Sequence, residues 1–122
     1  MAEHNELGKV GEEMATKYLV NIGYQILEKN FRFKRDEVDI IATKDGIIVF
    51  VEVKTRTSNF LGEPEESVSM AKQKRIIKVA NHYLIENDLD NEGRFDIFGR
   101  FKKHNILRRL GILVRFLTIL VI

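Results

Sequence analysis

Cysteine and tryptophan are absent from these 122 residues, and proline occurs once, at Pro64. Without cysteine there is neither a disulfide framework nor a thiolate metal site. The three histidines, His4, His82 and His104, are scattered without metal-ligand spacing, so a metal would fall to oxygen ligands. No Gly-rich phosphate loop, nucleophile elbow, internal repeat or low-complexity tract occurs. Long hydrophobic runs are missing too: residues 111–122 are almost wholly apolar but contain Arg115, and a bilayer span needs about 20 residues. The start, M-A-E-H-N-E-L-G-K, has no apolar signal-peptide stretch, which makes a cytoplasmic location the default expectation.

A hydrophobic content of 44% with 31% charged residues suits one domain built on one core and argues against a disordered chain. The net charge of +2 hides an asymmetry. Residues 1–99 carry 14 basic and 18 acidic side chains, whereas residues 100–122 carry six basic and no acidic ones. Two parts are therefore distinguished: a domain over residues 1–99 and a tail over residues 100–122, basic and then apolar. For the tail, packing as a strand or helix, dimerisation and contact with a membrane surface all remain open.

Residues 37–54, E-V-D-I-I-A-T-K-D-G-I-I-V-F-V-E-V-K, organise the domain. Asp45-Gly46 between two β-branched, apolar runs predicts a two-residue hairpin turn. With those two residues as the loop, Thr43 faces Ile48, Ile41 faces Phe50 and Asp39 faces Glu52. Directly opposed carboxylates repel at a Cβ separation of about 4.5–5.5 Å unless something offsets the charge. A divalent cation does so, and Lys54, two residues beyond Glu52 on the same face, adds a positive group. Val49, Val51 and Val53 fill the other face, so both faces read as buried, and a carboxylate there is costly unless paired or metal-bound.

Around the hairpin the spacing of apolar residues predicts a helix over residues 7–22, with Val10, Met14, Ala15, Tyr18 and Leu19 on its stripe and Gly23 ending it. Gly8 and Gly11 near its start fit close packing, a frayed turn, or an approach to the sheet that lets Glu12 reach the Asp39/Glu52 pair. Residues 24–33 read as a strand in which Phe31 and Phe33 alternate with Arg32, a pattern shared by half-buried strands and nucleic-acid contacts. A loop over residues 55–64 carries Arg56, either a phosphate ligand or a solvated side chain. A helix capped by Ser67 or Ser69 runs to about Asn87 with Ala71, Ile76, Val79, Ala80, Tyr83 and Leu84 buried. Its early turns hold Lys72, Gln73, Lys74, Arg75 and Lys78, a wet helix face or a grip on a phosphate backbone. A short strand at residues 94–98 follows.

Gly8-x-x-Gly11-Glu12, Asn30-Phe31-Arg32, Glu37-Val38-Asp39, Phe50-Val51-Glu52-Val53-Lys54-Thr55-Arg56 and the Lys72-Gln73 helix together resemble the YraN-like family of small bacterial proteins. The likeness covers roughly residues 5–98. That family looks like a branch of the restriction-endonuclease-like, or PD-(D/E)XK, superfamily, whose relatives include archaeal Holliday-junction resolvases. The resemblance implies an α/β fold with an α-β-β-β-α-β core and a mixed central sheet flanked by helices. It also implies a metal-dependent nuclease acting on DNA, with branched DNA as a candidate substrate and Mg²⁺ or Mn²⁺ held by Asp39, Glu52 and Glu12. Lys54 would orient the attacking water, and Arg32, Arg56, Lys72, Gln73, Lys74 and Arg75 would contact the nucleic acid. A homodimer would suit symmetric cutting of two strands. The alternative is a non-catalytic module that binds nucleic acid or protein on the same fold. Two departures stand out: Asp36 occupies a position where the family usually has glycine, and the tail beyond Phe98 does not look like the family's ending.

Overall fold

A computed structural model describes the backbone of residues 2–56, 70–101 and 106–115, and the side chains of residues 8–53, 71 and 74–98. Most of the expected loop and the two serines proposed as helix caps, Ser67 and Ser69, lie outside the described residues. The elements follow the expected order: α1 (Ala2–Asn21), β1 (Gln25–Phe33), β2 (Asp36–Lys44), β3 (Ile47–Arg56), α2 (Met70–Glu86) and β4 (Glu92–Phe101). A further strand, β5 (Ile106–Arg115), comes from the tail. The sheet runs β1-β2-β3-β4-β5. It is mixed, because β3 pairs with β4 in parallel across the α2 crossover while the other neighbours are antiparallel.

Local chemistry sets the joints. Asp45 and Gly46 both have positive φ, 53° and 78°, the conformation whose twist matches two antiparallel strands and which Asp-Gly adopts at little cost. Gly23, at φ 98°, closes α1: its N–H donates to the Val20 carbonyl at 3.1 Å and the Tyr24 N–H to the Leu19 carbonyl at 2.9 Å. These bonds satisfy carbonyls left over at the helix end. The Lys44 ammonium donates to the Ile22 carbonyl at 2.6 Å and lies 5.6 Å from the Tyr24 ring centre, tying that helix end to the hairpin.

The helices cover opposite faces of the sheet. One cluster joins Ile41, Ile48, Phe50, Phe95 and Ile97 to Ile76, Val79, Ala80, Tyr83 and Leu84 of α2. The other joins Ile40, Ala42, Val49, Val51 and Phe98 to Ala15 and Leu19 of α1. Val49, Phe50 and Val51 have no exposed surface, so β3 is buried on both sides as its apolar run predicts. Two expected stripes need correction. Val10 and Tyr18 are about 40% exposed, because the packed line of α1 passes through Gly11, Ala15 and Leu19, and Tyr18 reaches Phe98 only edge-on. Ala71, in the first turn of α2, is exposed. Beneath α1, the buried Asp96 carboxylate accepts from Arg94 Nε and Nη2, both at 3.0 Å, and Nη2 also donates to the Tyr24 hydroxyl at 2.7 Å. Pairing of this kind is what makes a buried charge tolerable.

Gly8 in α1 and Gly23 just past its end separate by sign. A Cβ at Gly23 would lie 3.3 Å from Lys44 Cε at a φ of +98°, so Gly23→Ala is expected to destabilise the fold by roughly 1–2 kcal/mol. At Gly8 a Cβ meets nothing within 4 Å, and Gly8→Ala is expected to stabilise by about 0.5–1 kcal/mol. Urea denaturation of the two variants checks both signs.

Candidate metal centre

The β2–β3 ladder follows the expected register through Thr43↔Ile48, Ile41↔Phe50 and Ile40↔Val51. It ends there. In place of a further backbone pair, the Asp39 carboxylate accepts a hydrogen bond from the Val53 N–H at 2.7 Å. Side-chain alternation slips at the same place: Val38 and Ile41 pack in the α2-side cluster, and Ile40 and Ala42 in the α1-side cluster. Asn30, between the β1 residues paired with Ile40 and Val38, has a φ of 54°. An irregularity shared by two strands thus brings the Asp39 carboxylate to Glu12 of α1.

Glu12, Glu37 and Asp39 converge. One carboxylate oxygen from each lies within 4.8 Å of the others. Oriented by its hydrogen-bonding surroundings, the Asn30 amide Nδ2 donates to Glu12 Oε1 at 3.3 Å and to Glu37 Oε1 at 3.1 Å. Arg32 Nε donates to the other oxygen of Glu37, Oε2, at 2.9 Å. The Lys29 charge acts on Glu12.

Electrostatics shows what this crowding costs. Burial, followed by the charges of Glu12, Glu52 and Glu37, pushes Asp39 up to about 7, although the Val53 N–H bond works in the opposite direction. Glu12 is also raised, by burial and then by Glu37. Burial and neighbouring like charge together favour the protonated form of Asp39 toward neutrality. Three carboxylates from α1 and β2 form an all-oxygen donor set that suits a hard divalent cation, and such a cation would displace that proton.

The expected residues are distributed as follows. Asp39 and Glu12 come together as anticipated. Glu52 is half-buried, with Oε2 buried, and its charge reaches Asp39. Lys54 and Arg56 lie on the last turns of the β3 ladder, opposite Gly99 and Phe101 of β4, but their side chains are outside the described residues, as are those of Lys72 and Gln73. Arg32 holds Glu37, Lys74 is exposed, and Arg75 Nε lies 3.6 Å from Asp36 Oδ1. Glu37 and Asn30 were not among the expected site residues. Glu37 carried a readable signal, since E-x-D on a strand puts two acids on one face. Among the described residues, no helix is long and apolar enough to cross a membrane.

A pH titration tests the Asp39 environment. Because its folded-state value lies above the ordinary 3.8, the folded chain holds a proton that the unfolded chain has released between about pH 4 and 7. The Asp39 contribution to stability is therefore fully present below that window and lost as pH rises through it. The stability difference between parent and Asp39→Asn, measured in urea without metal, should move in favour of the variant from about pH 4 to 7 and level off above. A difference that stays flat across the window would contradict the buried, protonated arrangement.

Residues 11–99 match the profile of the uncharacterised protein family UPF0102. A UPF0102 protein of Flavobacterium psychrophilum is 50% identical over 103 residues, covering 84% of this chain and 87% of its own. One from Christiangramia forsetii is 47% identical over 102 residues, 84% of this chain and 86% of the relative. One from Clostridioides difficile is 50% identical over 95 residues, 77% and 83% of the two chains. The matched span contains Glu12, Asn30, Glu37, Asp39, Glu52 and Lys54, and on this agreement in sequence the chain belongs to the YraN-like UPF0102 family.

Proposed function

We propose that the protein is a metal-dependent nuclease that hydrolyses phosphodiester bonds in DNA. The observation that carries this reading is the convergence of Glu12, Glu37 and Asp39 on one partly buried point, with Asp39 tied to the strand that bears Glu52 and Lys54. A cation bound among these acids would offset the electrostatic cost of gathering them. Mg²⁺ or Mn²⁺, when bound, polarises a phosphate oxygen and acidifies water, which is the chemistry that phosphodiester hydrolysis needs.

The chain's own groups have separable tasks. Asp39, fixed by the Val53 N–H, and Glu12, presented from α1, hold the cation. Glu37 joins them, while Asn30 and Arg32 fix its two oxygens in place. Glu52, whose charge reaches Asp39 from β3, would add a further carboxylate to the ligand set. Lys54, next on the same strand face, would orient the attacking water and stabilise the resulting hydroxide. Arg32, Arg56, Lys72, Gln73, Lys74 and Arg75 bind the DNA strand that carries the scissile bond, and a homodimer would allow both strands of a branched substrate to be cut.

The competing reading is a module that binds nucleic acid or protein without cleaving it, since a fold does not establish its function. Incubation with linear and branched DNA and Mg²⁺ or Mn²⁺ separates the two. The parent is expected to cut DNA, with Asp39→Asn and Lys54→Ala slower by on the order of 100-fold or more. Glu37→Gln is expected to weaken Mn²⁺ binding in calorimetry by about 10-fold or more. Intact DNA with parent and variants alike, together with undiminished DNA binding, would favour the module.

A further inference from the structure

We infer that the β1–β2 turn and the exposed face of α2 form a continuous docking strip for the sugar-phosphate backbone of duplex DNA. Lys34 and Arg35 at the turn and Lys74, Arg75 and Lys78 on α2 are all exposed. Direct contacts join the two elements. Arg75 reaches Asp36, the first residue after the turn, at 3.6 Å. The Phe33 ring stacks on His82 of α2 with centres 4.0 Å apart and planes 19° apart, and the Lys34 ammonium sits 5.3 Å from that ring centre. Among the described residues three acids bear on the strip: Asp36 and Glu37 each face an arginine, and Glu86 pairs with His82 at 2.8 Å.

The turn is built against local preference. Lys34 has a φ of 58°, a conformation that glycine or asparagine adopts more easily, and its neighbour Arg35 is also a cation. Two residues poorly suited to a tight turn therefore place positive charge at its tip. Strain of this kind accompanies functional positions more often than structural ones.

Charge complementarity identifies the occupant. Protein interfaces centre on buried aromatic or aliphatic anchors. Among the described residues, the exposed large apolar ones, Val10, Tyr18, Val20 and Ile85, lie on α1 and at the far end of α2. A row of exposed cations without an apolar centre matches a phosphate backbone, whose contacts position without reading sequence. Arg32, between Phe31 and Phe33 that pack toward α2, faces the other side of the sheet with Glu37, so the β1–β2 turn is the boundary between the strip and the acid cluster. The docking does not rest on the nuclease reading.

The test is the salt dependence of binding by the full chain to a fluorescent blunt DNA duplex in chelator, alongside thermal denaturation. Lys34→Gly relieves the turn, so its Tm should be unchanged or higher, yet its duplex binding should weaken several-fold and its log–log salt slope fall by about 1. A triple variant, Arg35→Gln, Lys74→Gln and Lys78→Gln, should lose about 3 from the slope. Lys17→Gln, an exposed control on α1, should leave the slope unchanged. Parental binding that ignores salt, or a triple variant with the parental slope, overturns the strip. If Lys34→Gly lowers the Tm, the triple variant decides. Cleavage by the parent with Mg²⁺ beside an unaffected triple variant would sink the strip and keep the nuclease. A lost slope without any parental cleavage would keep the strip and sink the nuclease.

Discussion

The hydrogen bond from the Val53 N–H to the Asp39 carboxylate is the constraint on which the acid cluster depends. It stands where a backbone carbonyl would otherwise continue the β2–β3 ladder, so a side chain rather than the main chain holds the two strands together at that end. The consequence is positional. Asp39 cannot swing to solvent without leaving a strand N–H unpaired, and a buried unpaired donor costs about 1–3 kcal/mol. Held there, its carboxylate meets Glu12 from α1 and Glu37 two residues earlier on β2. A bond from an N–H favours the charged form of Asp39, yet burial and three neighbouring acids outweigh it. The group is therefore poised to release its proton to water when a divalent cation takes its place.

The two ends of the sheet are built differently. At the Asp45-Gly46 end the turn residues match the required φ values, Gly23 and Lys44 close α1, and Arg94, Asp96 and Tyr24 satisfy one another beneath it. Local preference and tertiary packing agree there, as expected of a region whose task is stability. At the opposite end Asn30 and Lys34 take left-handed conformations, alternation slips at Asp39, and three acids are pressed together. Between them β3, apolar on both faces, forms a rigid spacer. Conflict with local rules is concentrated where charged groups gather.

Much of the fold was legible in the primary structure. The Asp45-Gly46 turn, the burial of Val49, Phe50 and Val51 and the α2 stripe from Ile76 to Leu84 all follow from periodicity and turn chemistry, which act over a few residues. The placing of β5 beside β4 did not follow, because an apolar stretch with interleaved arginines fits a strand, a helix or an interface equally well. At the site, counting out from the turn brought Asp39 and Glu52 near one another, but counting assumes an unbroken ladder. It could not show that the ladder stops at Ile40↔Val51, or that Glu37 and Asn30 would thereby join Glu12.

By itself the sequence determined the elements before the tail, the hairpin register and the supply of oxygen ligands in a chain without cysteine, since propensity, alternation and residue chemistry are local properties. Only the tertiary structure decided which acids meet and at what cost. That choice depends on how closely α1 approaches the sheet, on where a strand irregularity falls and on how far burial strips water from Asp39, and each of these is set by contacts between residues distant along the chain.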